Sequence, residues 1–345
     1  VGDLVRPGEK SERVLDVHRR LAAEDYDVGP APEDSVLNES LGDAVAEFQR
    51  RHGLVIDRII GPNTRAAMNV PASDRVRQIE VNLVRWHWMP VDLGGRHLFV
   101  NLPEYRLQAY DNGQEVLSMK VVVGADYDQR ATPAFSDEVT YAQFKPYWNV
   151  PMSIARDELV PRGPEDLRKS GFEIVPEFGV SEDEVLPMTD ENLEAVAEGQ
   201  HFLRERPGPT NALGRVKYMF PNEFAIYLHD TPEDHLFEER ERTFSHGCIR
   251  VEDPAALGAF LFQPRDWSER EIRRRMNEGP KNQRVDLRQP VPVFILYFTA
   301  FVDESGDVHF RPDVYGYDEP IREALAAREI REPDVSIEEL TGLLP

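Results

Sequence analysis

The sequence predicts an α+β multidomain protein, on three observations: apolar residues recur at helical spacing over the first seventy or so positions, the period falls to two from about residue 97, and an inserted stretch of about sixty residues interrupts the strand pattern. A chain of 345 residues is long enough for two or three domains. The expected boundaries are a small three-helix domain over 1–72, a helical connector over 73–96, a mainly antiparallel β domain, sandwich or barrel-like, over 97–300 with an inserted subdomain or lid at about 152–213, and a hairpin and helical tail over 301–345 that packs back.

In the first domain Val14, Val17 and Leu21 fall on one helical face, with Ser11 as the expected cap. Leu41, Val45 and Phe48 repeat the spacing until Gly53, and Gly61-Pro62 opens a third helix. The connector carries Val76, Ile79, Leu83 and Trp86 along one side. Strands are then expected at 97–102, at 105–110 and 119–124 around an Asp111-Asn112-Gly113 turn, and at 139–150, 215–220, 223–229 and 291–301. Between 152 and 213 the strand signal lapses around an acidic Ser181-Glu182-Asp183-Glu184, and a loop of that length is expected to be a subdomain of its own. A second hairpin turn is expected at Glu304-Ser305-Gly306-Asp307.

With 63 Asp+Glu against 40 Lys+Arg, the formal net charge of −23 repels phosphate backbones, so nucleic acid is not an expected partner. No run reaches the ~18 apolar residues of a membrane span. The N-terminus, Val1-Gly2-Asp3, shows no basic and apolar leader, so a signal peptide is expected to be absent, removed or outside this chain. One cysteine, Cys248, allows no intrachain disulfide and is either a small buried hydrophobe or a nucleophile.

Its setting, Ser245-His246-Gly247-Cys248-Ile249-Arg250, favours chemistry. Imidazole near a thiol stabilises thiolate, and Gly247 permits a positive φ that turns the Gly247 and Cys248 amides toward an oxyanion. His229 ends a strand on the face opposite Phe224, Ile226 and Leu228, and reads as a general base for Cys248 or as a histidine satisfied by a carbonyl. His246 orients the loop, stabilises thiolate, or is structural. A zinc site from His229, His235, His246 and Cys248 is the metal alternative, at a spacing that matches no common finger.

Asn211-Ala212-Leu213-Gly214-Arg215-Val216-Lys217, Tyr227-Leu228-His229-Asp230-Thr231-Pro232 and Ser245-His246-Gly247-Cys248-Ile249-Arg250 together closely resemble the L,D-transpeptidases of the YkuD type. With Tyr147-Trp148-Asn149-Val150-Pro151 and the insertion, the chain is most similar to the large Gram-negative members, which place a lid within the catalytic domain. Ala44 to Leu54 and Ile60-Gly61-Pro62-Asn63-Thr64 resemble the three-helix peptidoglycan-binding domain. Two departures stand out: Arg58 follows Asp57 where that domain usually carries glycine, and the further scaffold sequence that large members tend to carry before it is missing, as in a truncated chain.

The resemblance implies a YkuD-like β-sandwich in which Cys248, His229, His246 and Gly247 are catalytic and Tyr227, Trp148, Asn149, Arg250 and Ser245 form the substrate pocket. Core packing for Trp148 and an ion pair for Arg250 are the alternatives. Cys248 would attack the third residue of a tetrapeptide stem, and the side-chain amine of a second stem would resolve the thioester into a 3→3 cross-link. Peptidoglycan stem peptides and glycan are the implied partners, carbapenems the implied inhibitors, and the periplasm or cell envelope the implied location, with no metal or cofactor. The rivals are a hydrolase of the same fold that trims stems, and a non-catalytic wall-binding protein.

Overall fold

In α1 (Arg13–Ala22) and α2 (Glu39–Arg51), Val14, Val17, Leu21, Leu41, Val45 and Phe48 all turn inward and are buried, each fully interred side chain contributing about 1.5–3 kcal/mol. Ser11 accepts from the Arg13 amide at 3.4 Å, and Asn38 caps α2 by accepting from Leu41 N. Pro62 opens α3 (Pro62–Met68), where its missing N–H costs nothing. The structure, a computed structural model, describes residues 4–127 and 130–329, and divides into two units: the residues up to 91 with those from 297 on, and 92–296.

The expected connector is α4 (Ala72–His87), and it reverses the usual helix. Val76, Leu83 and Trp86 are more than half exposed, whereas Gln78, Asn82 and Arg85 are buried with Val81. The polar face is interred because it finds partners there: Gln78 Nε2 donates to the Thr299 and Arg311 carbonyls, Asn82 Nδ2 to Thr299 Oγ1, and Arg85 pairs with Asp318 at 2.5 Å.

The second unit is built on β1 (Arg96–Asn101), β2 (Arg106–Asp111), β3 (Gln114–Gly124), β4 (Phe135–Phe144), β8 (Val216–Met219), β9 (Leu228–His229), β10 (Thr243–Ser245), β11 (Ile249–Val251) and β12 (Gln283–Leu296). They pair in the order β10-β3-β11-β9-β8-β4-β12-β1-β2, and β2 pairs back on β3, so the strands close on themselves. Most pairings are antiparallel; β1 with β12, β9 with β11 and β3 with β10 are parallel. Asn112 and Gly113 both adopt positive φ, the turn that suits a two-residue hairpin. Helices α8 (Pro254–Leu261) and α9 (Glu269–Glu278) follow β11.

Residues 148–205 interrupt this frame and carry a core of their own. It combines α5 (Met152–Ile154), a π-turn over Ala155–Leu159, α6 (Pro164–Lys169), α7 (Asp190–Ala197) and a sheet of β5 (Trp148–Asn149), β7 (Phe202–Glu205) and β6 (Phe172–Val175), with Ile154, Leu167, Ile174, Leu193 and Leu203 at its centre.

The C-terminal hairpin, β13 (Ala300–Val302) and β14 (Val308–Phe310), and α10 (Glu319–Glu329) group with α1 to α4. The rest of the expected tail, 330–345, lies outside the described residues.

Candidate active site

Residues paired across a sheet point to the same side, so register builds the site. Lys217 of β8 pairs with His229 of β9, which pairs with Arg250 of β11; these three share one face. Tyr218, Leu228 and Ile249 share the other, fully buried. The two-residue period sets Cys248 and Tyr227 beside Arg250 and His229.

The strand expected over 223–229 is mostly absent. Only Leu228 and His229 are strand, because the Asn222 side chain replaces the backbone ladder: its Oδ1 accepts from Phe224 N and Ile226 N, and its Nδ2 donates to the Phe220 and Ile226 carbonyls. Ala225 takes φ 54° there, and its carbonyl accepts from Cys248 Sγ at 3.7 Å. At the other end of β9, Asp230 accepts from Arg215 N and Thr231 N. Gly214 allows that approach, since a Cβ there would lie 2.4 Å from the Asp230 carboxylate.

His229 is buried, and its Nδ1 donates to the Asp230 carbonyl at 2.6 Å, which leaves Nε2 as the basic nitrogen. Burial, helped by the charges of Arg250 and Lys217, lowers its pKa to about 3. Burial also raises the Cys248 thiol, against the opposing influence of neighbouring Tyr227 and the charges of Lys217 and Arg250. Both groups are therefore neutral at rest, whereas the sequence alone suggested a stabilised thiolate. The sulfur donates to the Ala225 carbonyl, and Tyr227 packs edge-on to the His229 ring at 5.6 Å.

The loop before Cys248 is tied internally. Ser245 is buried; its Oγ donates to the Cys248 carbonyl at 2.5 Å and accepts from Gly247 N at 3.2 Å. Ser245 thus ties the loop together, and the Gly247 amide, expected as an oxyanion donor, is engaged. Gly247 does take a positive φ, 110°. The Cys248 amide carries no hydrogen bond among the described residues. Thr132 Oγ1 accepts from Gly124 N and donates to the Gly247 carbonyl, both at 2.9 Å.

Other expected residues lie elsewhere or are differently engaged. His246 is exposed, and its Nε2 meets Glu158 of the insertion at 2.8 Å, where Arg130 also binds at 2.6 Å. Trp148 and Asn149 belong to the insertion's own sheet, where the partly buried Trp148 packs on Phe172 at 6.1 Å. Arg250 pairs with Glu233. Lys217, Thr132 and Glu158 were not singled out from sequence; only Lys217 lay in a quoted motif, and the other two act across large chain separations. Among the described residues, no group of three or more His, Cys, Asp or Glu side chains is arranged to hold a metal ion.

Residues 95–261 match the family profile described as the YkuD "L,D-transpeptidase catalytic domain". The chain carries a YkuD catalytic domain. Residues 10–68 match the "Putative peptidoglycan binding domain". A Haemophilus influenzae protein named "Putative L,D-transpeptidase" is 30% identical over 252 residues, which is 72% of this chain and 50% of that protein, so the chain spans about half the length of this curated relative. Among solved structures, an L,D-transpeptidase of Stackebrandtia nassauensis is 12% identical with TM-score 0.31, covering 86% of this chain and 97% of that one. L,D-transpeptidase 1 of Mycobacterium tuberculosis is 10% identical with TM-score 0.25, covering 59% and 61%.

Proposed function

We propose that this YkuD protein is a cysteine-dependent L,D-transpeptidase of the cell envelope, periplasmic in location, that joins peptidoglycan stem peptides by 3→3 cross-links. Its first domain holds the glycan while the second performs acyl transfer. The observation that carries this reading is that the chain's one cysteine directly precedes β11, whose Arg250 pairs with His229 on β9, a histidine whose Nδ1 is committed to a carbonyl.

In the first step Cys248 Sγ adds to the carbonyl of the diamino acid at stem position three as its proton passes to His229 Nε2. The free Cys248 amide donates to the oxyanion. Collapse breaks the bond to the terminal D-alanine, and His229 gives the proton to that leaving amine. The side-chain amine of a second stem then attacks the thioester, and the thiol is regenerated. Carbapenems would acylate the same sulfur.

The test is incubation with tetrapeptide-bearing muropeptides and separation of dimers from tripeptide monomers. Dimers from the native protein and none from Cys248→Ala are expected. Tripeptide monomers alone would make the protein a stem-trimming hydrolase instead.

A further inference from the structure

Lys217 is half-buried on the site face, and among the described residues no carboxylate lies within ion-pair distance of it. Its register neighbours are His229 on β9 and Gln143 on β4, neither an anion at rest. Its Nζ lies 5.0 Å from the centroid of the Tyr227 ring, and the Tyr227 carbonyl accepts from Ile249 N at 3.1 Å, which sets Tyr227 beside Cys248. The other cation on this face, Arg250, already has its counter-charge in Glu233. A desolvated ammonium without an anion is costly, and the group beside it that becomes an anion is the thiol.

We propose that Lys217 is a positioning residue that supplies the counter-charge for the Cys248 thiolate, acting through the shared Tyr227 and the dry space around it. The proposal rests on Cys248 being the nucleophile. When the sulfur loses its proton to His229 Nε2, the electron pair stays on sulfur and Lys217 keeps all three of its protons. Electrostatics agree in both directions: Lys217 favours the ionised thiol, and the thiolate opposes the loss of a proton from Lys217 that burial promotes.

The chain's one cysteine makes alkylation by iodoacetamide readable from intact mass without any stem peptide. We expect Lys217→Met to move the midpoint of the pH–alkylation curve up by about one unit, with an approximately tenfold slower reaction at pH 8 and an unchanged plateau rate at high pH. Lys217→Arg should restore most of the rate. A Lys217→Met curve that superimposes on the native one overturns the proposal, and so does an unchanged curve with a raised KM for stem peptide, which would make Lys217 a substrate-carboxylate contact. Should Lys217→Met lose its melting transition, reductive methylation of Lys217 at pH 10 in Cys248→Ser decides instead: several-fold faster methylation than in the native protein supports the proposal, and an equal rate overturns it. If the curve shifts but muropeptides give no dimers, the transpeptidase reading fails and the assignment of Lys217 stands.

Discussion

Two histidines, one in each unit, share the same perturbation and teach opposite lessons. His52 at the end of α2 and His229 at the end of β9 are both buried, both give Nδ1 to a main-chain carbonyl, and both have a pKa lowered to about 3 by burial. His52 stacks on Phe48 at 3.8 Å and on Phe310 at 5.5 Å, so both its faces are filled by packing. His229 shares its sheet face with a thiol, a tyrosine, a lysine and an arginine. A displaced pKa thus marks desolvation; a reactive site needs nucleophilic and charged neighbours as well.

The strongest way to break the comparison is to exchange the consequences. His229→Gln should slow acylation by a β-lactam about 10²–10⁴-fold, measured by intact mass. His52→Gln should leave that rate unchanged while costing about 1–3 kcal/mol in denaturant melts, the loss of a packed and bonded buried group. A large rate loss from His52→Gln would end the distinction.

Acid sharpens it. Each histidine binds a proton near its ordinary pKa when unfolded but only near 3 when folded, so the stability it contributes is full above about pH 6.5 and is lost as the pH falls toward 3. Between pH 6.5 and 5 the loss should be about 2 kcal/mol per histidine, and in His52→Gln only the His229 share should remain. Acylation by a neutral β-lactam should show no acid limb near pH 6.5, because His229 stays unprotonated there.

The smallest effect concerns Arg58, which adopts φ 62° where the binding domain's pattern carries glycine. The turn survives because Gln49 Oε1 accepts from the Asp57 and Arg58 amides while its Nε2 donates to Asp57 Oδ1, the Ile59 carbonyl and Thr64 Oγ1. Arg58→Gly should relieve about 1 kcal/mol of left-handed strain, offset in part by loss of the exposed pair with Asp43, and raise the melting temperature slightly.

Features fixed by local chemistry were legible in the sequence: the Asn112-Gly113 hairpin, the three-helix core, and the Cys248 and His229 segments, whose residue types announce themselves. The partners of His246 and Gly247 were not, since Glu158 and Thr132 are distant in the chain and neither carries a local signal. β9 misled because Asn222, a single side chain, does the work of four ladder bonds, and an alternating pattern does not reveal that. α4 misled because hydropathy assumes the apolar side goes in, while Gln78, Asn82 and Arg85 have specific acceptors inside.

The closed ring of strands has a bearing on biogenesis. β1 leaves the ribosome early, yet its parallel partner β12 is made about 195 residues later, as Val100 meets Ile295, a separation that slows folding and exposes an unpaired edge meanwhile. Lys217, His229 and Cys248 are all synthesised before that closing strand, so the nascent chain holds its reactive groups well before it has the barrel that aligns them.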